Sequence, residues 1–149
     1  MANFQTQLKK KSNISASKLQ KDLFDFIKSI ENEIVAMNVQ QINVESKDIN
    51  DKPIGFYSFA TELITGGAKK KGDPFTGKDT GDWLGGFYMQ QVGTNLRFGS
   101  TDGKTQDILK SDNWLSDDLF GLSDKDLKAL IQDRLVPFII SNTRKILEI

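Results

Sequence analysis

An α+β fold is predicted from three features of the chain. Apolar residues recur at three- and four-residue steps from Leu19 to Met37 and again from Leu127 to Ile139, which is the spacing of one helix face. Between these stretches, Phe87-Tyr-Met-Gln-Gln-Val92 and Leu96-Arg-Phe98 flank Gly93-Thr-Asn95, a pattern of two strands joined by a turn. Gly66 to Gly86 separates the first helix from this hairpin and holds seven of the twelve glycines. The expected architecture is therefore two principal amphipathic helices packed on a small antiparallel sheet, with a long Gly-rich loop. A length of 149 residues suits one domain, 1–149, with a basic N-terminal arm over 1–16 and the loop over 66–86.

Each element has a local reason. Ser17-Lys-Leu-Gln20 fits a capping box, the serine oxygen meeting a free amide and the glutamine reaching back. Leu19, Leu23, Phe26, Ile27, Ile30, Ile34 and Met37 then predict a helix of roughly six to seven turns, ending between Gln41 and Lys47. Asp51-Lys-Pro-Ile-Gly55 reads as a turn and residues 57–65 as a short helix, with Phe56, Tyr57 and Phe59 as core or interface filling. The hairpin is expected from Trp83 to Gly99, broken by Ser100-Thr-Asp-Gly-Lys104. Residues 105–122 are mixed and polar, with Trp114, Leu115, Leu119 and Phe120 able to dock on the core. Ser123-Asp-Lys-Asp126 starts the second principal helix, its acids at the positive end of the dipole. Leu127, Leu130, Ile131, Leu135, Phe138 and Ile139 form its apolar face, and Pro137 should kink it about a turn earlier.

Composition excludes several chemistries. Cysteine and histidine are both absent, which removes disulfides, thiol nucleophiles, Ser-His triads and the common zinc sites. An enzyme built on this chain would use carboxylates, lysine, tyrosine or a hard metal ion. No apolar run approaches the roughly eighteen residues of a membrane span, and Met-Ala-Asn-Phe-Gln-Thr-Gln lacks the apolar core of a secretory signal.

The formal net charge is zero but unevenly spread. Residues 1–21 carry Lys9, Lys10, Lys11, Lys18 and Lys21 with no acid, whereas residues 101–133 carry eight Asp against four Lys. One reading is a solvated tail and a solvated acidic face. The other is a basic and an acidic surface that meet between copies of the chain, steering association and setting register. No net basic surface is present to support specific nucleic-acid recognition.

The glycine loop contains a decoy. Gly72-Asp-Pro-Phe-Thr-Gly77-Lys78 matches the opening of a phosphate-binding P-loop, but Asp79 stands where a Ser or Thr hydroxyl would hold magnesium. The residues before it resemble a short helix rather than a buried strand. Asp79 and Asp82 in this loop, and Asp112, Asp117 and Asp118 beyond it, are oxygen donors suited to a hard cation, but their spacing matches no EF-hand loop. Lys69-Lys70-Lys71 could meet phosphate groups or simply keep the loop soluble.

The order Pro74-Phe-Thr-Gly-Lys-Asp79-Thr80-Gly81-Asp82, a hairpin, Phe98-Gly-Ser-Thr-Asp-Gly-Lys104, then Phe120-Gly-Leu-Ser-Asp-Lys-Asp-Leu127 before a terminal helix resembles small virion proteins of tailed phages and prophages of Bacteroidetes-type hosts. More loosely it resembles the head–tail joining, or tail-completion, family, in which an Asp/Pro-x-Thr-Gly segment precedes a β-hairpin after a long helix. The likeness spans roughly 53–147 and is most specific over 74–84. The Tyr-Ala…Glu-Phe-Gly-Thr-like stretch of that family has no counterpart here.

The resemblance implies a non-enzymatic structural protein of the virion, assembled in the bacterial host cytoplasm, forming a ring with copies of itself and stacking on neighbouring neck or tail proteins. No cofactor, catalytic residue or metal ligand is implied. Candidate interface residues are Lys9, Lys10 and Lys11 on the arm; Lys69, Lys70, Lys71, Phe75, Thr80, Gly81 and Asp82 in the glycine loop; and Asp117 and Asp118 in the acidic region. The loop is expected to order when a neighbour covers it. The alternatives are a phosphate-handling or metal-dependent enzyme using the 72–82 loop, and a small bacterial adaptor or immunity-type module. If the P-loop likeness is a decoy, titration with ATP or GTP at micromolar concentration should show no binding that Lys78→Ala abolishes; such binding would establish the enzyme reading.

Overall fold

The computed structural model describes residues 3–12, 14–110 and 115–149, and its architecture is α+β. In chain order it contains α1 (Phe4–Ser12), α2 (Ala16–Ser29), α3 (Glu31–Asn43), α4 (Phe59–Ile64) and α5 (Asp82–Gly85). The hairpin strands β1 (Phe87–Val92) and β2 (Asn95–Ser100) follow, then α6 (Lys104–Lys110), a 3-10 turn at Asp117–Leu119, α7 (Asp124–Leu130), a π turn at Ile131–Leu135 and α8 (Val136–Leu147). The chain condenses into two compact units: Met1–Glu31 with Leu127–Ile149, and Asn32–Asp126. The Leu19 to Met37 stretch is thereby divided between the units, while the Leu127 to Ile139 stretch belongs to the first and the hairpin to the second.

The first unit corrects three expectations. The basic arm is not an arm: residues 4–12 form α1, and Lys9, Lys10 and Lys11 occupy its last turn, where cations complement the negative end of the helix. Lys10 pairs with Glu148. The N-cap of α2 is Ser15 rather than Ser17, its Oγ accepting the Lys18 N–H at 3.1 Å. The long helix also stops at Ser29. The Ser29 hydroxyl donates to the Phe26 carbonyl at 2.6 Å, and the Ile30 N–H is shared between the Phe26 and Ile27 carbonyls, both at 3.2 Å. That competition tightens the last turn and ends the helix without any proline or glycine.

Packing in this unit centres on Phe26 and Phe138, whose rings stack at 4.2 Å with planes 2° apart. Ile27 and Leu130 are buried, but Leu127 and Ile131, expected on the packed face, are exposed. The π turn explains part of the shift. The Val136 N–H bonds to Ile131 O, five residues back, so the apolar stripe changes phase there. The expected distortion ahead of Pro137 takes this form: the proline, which cannot donate a helical N–H, follows directly on the π turn in a continuous helical run. Asp22 receives hydrogen bonds from Lys18 Nζ at 2.7 Å and Asn142 Nδ2 at 3.0 Å. The Lys18 ammonium, and then the Asn142 amide, hold its carboxyl below the usual range.

The second unit carries the main apolar cluster: Ile42, Ile54, Tyr57, Phe75, Trp83, Leu84, Phe87, Leu115 and Leu119. The inner face of α3 is half polar, because Ile34, Asn38, Gln41 and Ile42 are its buried positions. Both amides grip the chain at 119–123. Asn38 Nδ2 donates to Leu119 O at 2.9 Å, and its Oδ1 accepts from Gly121 N at 3.2 Å. Gln41 Oε1 accepts the Ser123 N–H at 2.9 Å, and Ser123 Oγ in turn accepts the Asp126 N–H at 3.3 Å to start α7 where the sequence placed it.

The hairpin is antiparallel, with Phe87 opposite Ser100 and Val92 opposite Asn95, leaving Gly93-Thr94 as a two-residue turn. Gly93 has φ +64, which a glycine at the first turn position adopts without strain. Phe87 and Met89 face the core, and the Tyr88 ring covers Gly99 on the other strand. The hairpin starts later than expected: Asp82–Gly85 is the short helix α5, and Trp83 on it is buried, its Nε1 donating to Thr105 Oγ1 at 3.2 Å. The polar stretch 105–122 contains most of α6, an element its pattern does not announce. Leu115 and Leu119 dock on the core as expected; Trp114 and Asp112 lie outside the described residues.

The amide grip yields a test. Asn38→Leu keeps the volume but strands a buried carbonyl at Leu119 and an amide at Gly121. Each unpaired buried group costs about 1–3 kcal/mol, so the variant should lose about 2–5 kcal/mol in urea unfolding. An unchanged midpoint would mean the bonds do not hold the loop.

Candidate functional site

The glycine loop is built by its own hydrogen bonds. Ser58 caps α4, and Gly66 and Gly67, at φ +61 and +85, end it by donating to Leu63 O and Glu62 O. The chain then runs back along residues 55–57: Gly72 N donates to Tyr57 O at 3.0 Å, Tyr57 N to Asp73 O at 2.9 Å and Phe75 N to Gly55 O at 2.9 Å. The Tyr57 hydroxyl meets Thr76 Oγ1 and receives the Thr76 N–H, both at 3.1 Å. Glu62 accepts the Lys71 N–H at 2.9 Å. These bonds tie the loop to residues 55–62 of the same chain. The P-loop likeness fails on geometry as well, since Phe75 is buried in the core and the helix after Lys78 is only the four residues of α5.

Two concavities lie along the loop. The smaller, about 240 Å³, has Phe75, Trp83 and Leu115 in its wall and Lys69, Asp79 and Lys104 among its polar groups, with Lys104 Nζ 3.6 Å from Asp79. It gathers four of the expected residues: Lys69, Phe75, Thr80 and Gly81. Asp82 adjoins them, its Oδ2 accepting from Thr80 Oγ1 at 2.7 Å. Phe75 is a core residue, so it is corrected from a candidate for an exposed contact to a support for this wall. The larger, a groove of about 770 Å³, includes Val44, Ser46, Tyr57, Ile64, Lys69 and Lys78. Lys69 borders both, its ammonium 5.2 Å from the centre of the Tyr57 ring.

The other expected residues line neither of these concavities. Lys70 and Lys71 are exposed on the loop. Lys9, Lys10 and Lys11 belong to the first unit. Asp117 and Asp118 open the 3-10 turn, where Asp118 accepts from Asn50 Nδ2 at 3.2 Å and its carbonyl from Ile49 N at 2.9 Å. Much of the acidic region has local work: Asp102 caps Lys104 N at 2.7 Å, and Asp124 and Asp126 sit in the first turn of α7. Among the described residues no group of three carboxylates gathers where it could hold a metal ion, and no helix is long and apolar enough to cross a membrane.

Sequence reasoning missed two features. The aromatic cluster splits, with Tyr57 in the core and Phe56 and Phe59 outside. With Val44, Leu63 and Ile64 they make five large apolar side chains, each more than half exposed and Ile64 86 % so. Leu63 and Phe59 are four residues apart on α4 and share a face. The second feature is Ser46, 5 % exposed, at φ +53, with no hydrogen-bond partner for its Oγ. No pattern in the sequence marks it. Comparison with protein-family models, curated proteins and solved structures finds no match.

Two glycines of the loop separate strain from crowding. Gly72 has φ +86 and open space around a new Cβ; Gly77 has φ +65, and a Cβ there would lie 2.6 Å from Cζ3 of the buried Trp83. Gly72→Ala should cost about 1–2 kcal/mol from the left-handed backbone, and Gly77→Ala about 1–3 kcal/mol more from overpacking. Equal unfolding midpoints for the two variants would contradict the Trp83 contact.

Proposed function

We propose that this chain is a non-enzymatic structural component of a phage particle, at the neck or tail-completion position, that assembles with copies of itself into a ring between head and tail. The observation that carries the reading is the exposed apolar set Val44, Phe56, Phe59, Leu63 and Ile64. Phe59 and Leu63 share a face of α4, and Val44 and Ile64 line one groove; exposed large apolar side chains are favourable to bury and, where they gather, mark interaction sites. The motif order over 74–127 supplies the virion context.

A ring of identical subunits uses two different patches per copy, one meeting the other around the circle. The apolar set on and around α4 is the first of them. Lysines on α1 contribute less than their number suggests, because Lys10 is already paired within the chain. The same apolar face also suits an adaptor that binds a different protein as a monomer, and native mass separates the two readings.

Sedimentation velocity and native mass spectrometry across a range of concentrations are the test. The wild type should populate multiples of 16.7 kDa. Phe59→Asp combined with Leu63→Asp should shift it to the single-chain mass with an unchanged circular-dichroism spectrum, since both side chains lie outside the core. A wild type that stays monomeric throughout would overturn the ring.

A further inference from the structure

We propose that the concavity between the glycine loop and α6 binds a small organic monoanion, a carboxylate carried on a single ring or a short branched apolar chain. Such a ligand is independent of assembly into a ring, and either can hold without the other.

The wall of this cavity is apolar and already in place. Phe75, Trp83 and Leu115 are buried residues of the core, and Ile108 on α6 is half-buried against them. The Trp83 indole is held on two sides: its Nε1 donates to Thr105 Oγ1 at 3.2 Å, and its ring meets Phe87 edge-on at 5.0 Å. Its one donor is therefore spent, and what it offers a ligand is ring carbon. A preformed apolar wall with a few polar groups at its edge is the usual form of a small-molecule site.

Volume limits the occupant. The cavity measures about 240 Å³. A benzene ring occupies an apolar cavity of about 150 Å³, and a water takes about 30 Å³ of liquid, so about 90 Å³ remains beyond one ring, room for about three further atoms of that size. One ring with a carboxylate fits; two rings do not.

Charge decides the sign. Lys69, Lys104 and Asp79 line the same cavity, two ammonium groups against one carboxylate. Lys104 Nζ stands 3.6 Å from Asp79, beyond hydrogen-bond reach, and both side chains are more than half exposed, so this pair holds neither partner tightly. Lys69 is half-buried where Lys70 and Lys71 are exposed, and among the described residues no carboxylate pairs with it. Its ammonium lies 5.2 Å from the centre of the Tyr57 ring, on a flexible four-carbon stem that borders the cavity. The result is one net positive charge beside an apolar wall. A cationic ligand would face two ammonium groups, and an uncharged one would leave both unmatched. A phosphate dianion would bring a second negative charge up to Asp79. A carboxylate takes a charge-assisted hydrogen bond from Lys104 or Lys69 while its apolar body covers Trp83 and Phe75.

Nuclear magnetic resonance of the Trp83 indole N–H tests this at the site itself. The chain has two tryptophans, so the indole resonance that survives in Trp114→Phe belongs to Trp83. Phenylacetate is the probe, and a ligand this small should shift that resonance in the wild type with a Kd of about 1–10 mM. Acetate, which lacks the ring, and 2-phenylethylamine, which reverses the charge, should each bind at least about tenfold more weakly. Lys69→Gln and Lys104→Gln should each weaken phenylacetate about fivefold, and Asp79→Asn should tighten it by about the same factor. Lys70→Gln removes the same charge outside the cavity and should change nothing. All four substitutions lie outside the apolar cluster, so an unchanged circular-dichroism spectrum is expected. Acetate or inorganic phosphate binding as tightly as phenylacetate would reveal a bare anion site and overturn the proposal. So would equal binding of 2-phenylethylamine, an equal loss in Lys70→Gln, or a Trp83 resonance that phenylacetate does not move. Native mass judges the ring separately, and none of these results bears on it.

Discussion

The buried amides of Asn38 and Gln41 are the constraint on which the second unit depends. They lie on the α3 face that also buries Ile34 and Ile42, and they treat the 119–123 segment as a neighbouring strand would, with donors and acceptors in alternation. Desolvating two amides is costly unless they are bonded, and here each makes bonds to backbone that would otherwise be unpaired. Their geometry sets where Leu119 enters the core and where Ser123 caps α7. Gly121, at φ +139 with Ile49 Cγ2 3.2 Å from a notional Cβ, allows the close approach.

From that anchored segment the rest of the unit follows. The Asp118 carbonyl holds Ile49, and the turn that follows is locked by Asp48, whose Oδ1 accepts from Asn50 N and Lys52 N at 2.8 and 3.0 Å. Ile54 N donates to Ser46 O at 2.8 Å, which ties the strained serine to a core residue. The glycine loop then threads back along residues 55–57 and sinks Phe75 beside Tyr57, their centroids 5.8 Å apart. The loop is a scaffold. Its bonds sink Tyr57 and Phe75, while Phe56 and the outer face of α4 stay outside.

Several charged side chains at the surface of the second unit are paired within it. Ion pairs such as Lys125–Glu45 at 2.7 Å and Lys47–Asp51 at 2.9 Å satisfy charges locally, and exposed pairs of this kind add little to stability. Acids at helix starts and lysines at helix ends account for much of the uneven charge along the chain.

Local pattern alone determined the α+β class, the hairpin with its glycine-led turn, the short helix near residue 60 and the helix starting after Ser123. Those features depend on nearest-neighbour geometry, such as apolar periodicity, a glycine at positive φ, or a serine beside a free amide. Only the tertiary structure decided that the chain divides into two units and that polar Asn38 and Gln41 are buried. It alone sorted Phe56 and Phe59 from Tyr57 and Phe75, and it alone isolated the Ser46 hydroxyl. A stripe of apolar residues says that a face is covered but not by what. An amide or an aromatic ring becomes core or surface according to which distant backbone arrives beside it, and that arrival belongs to the whole fold.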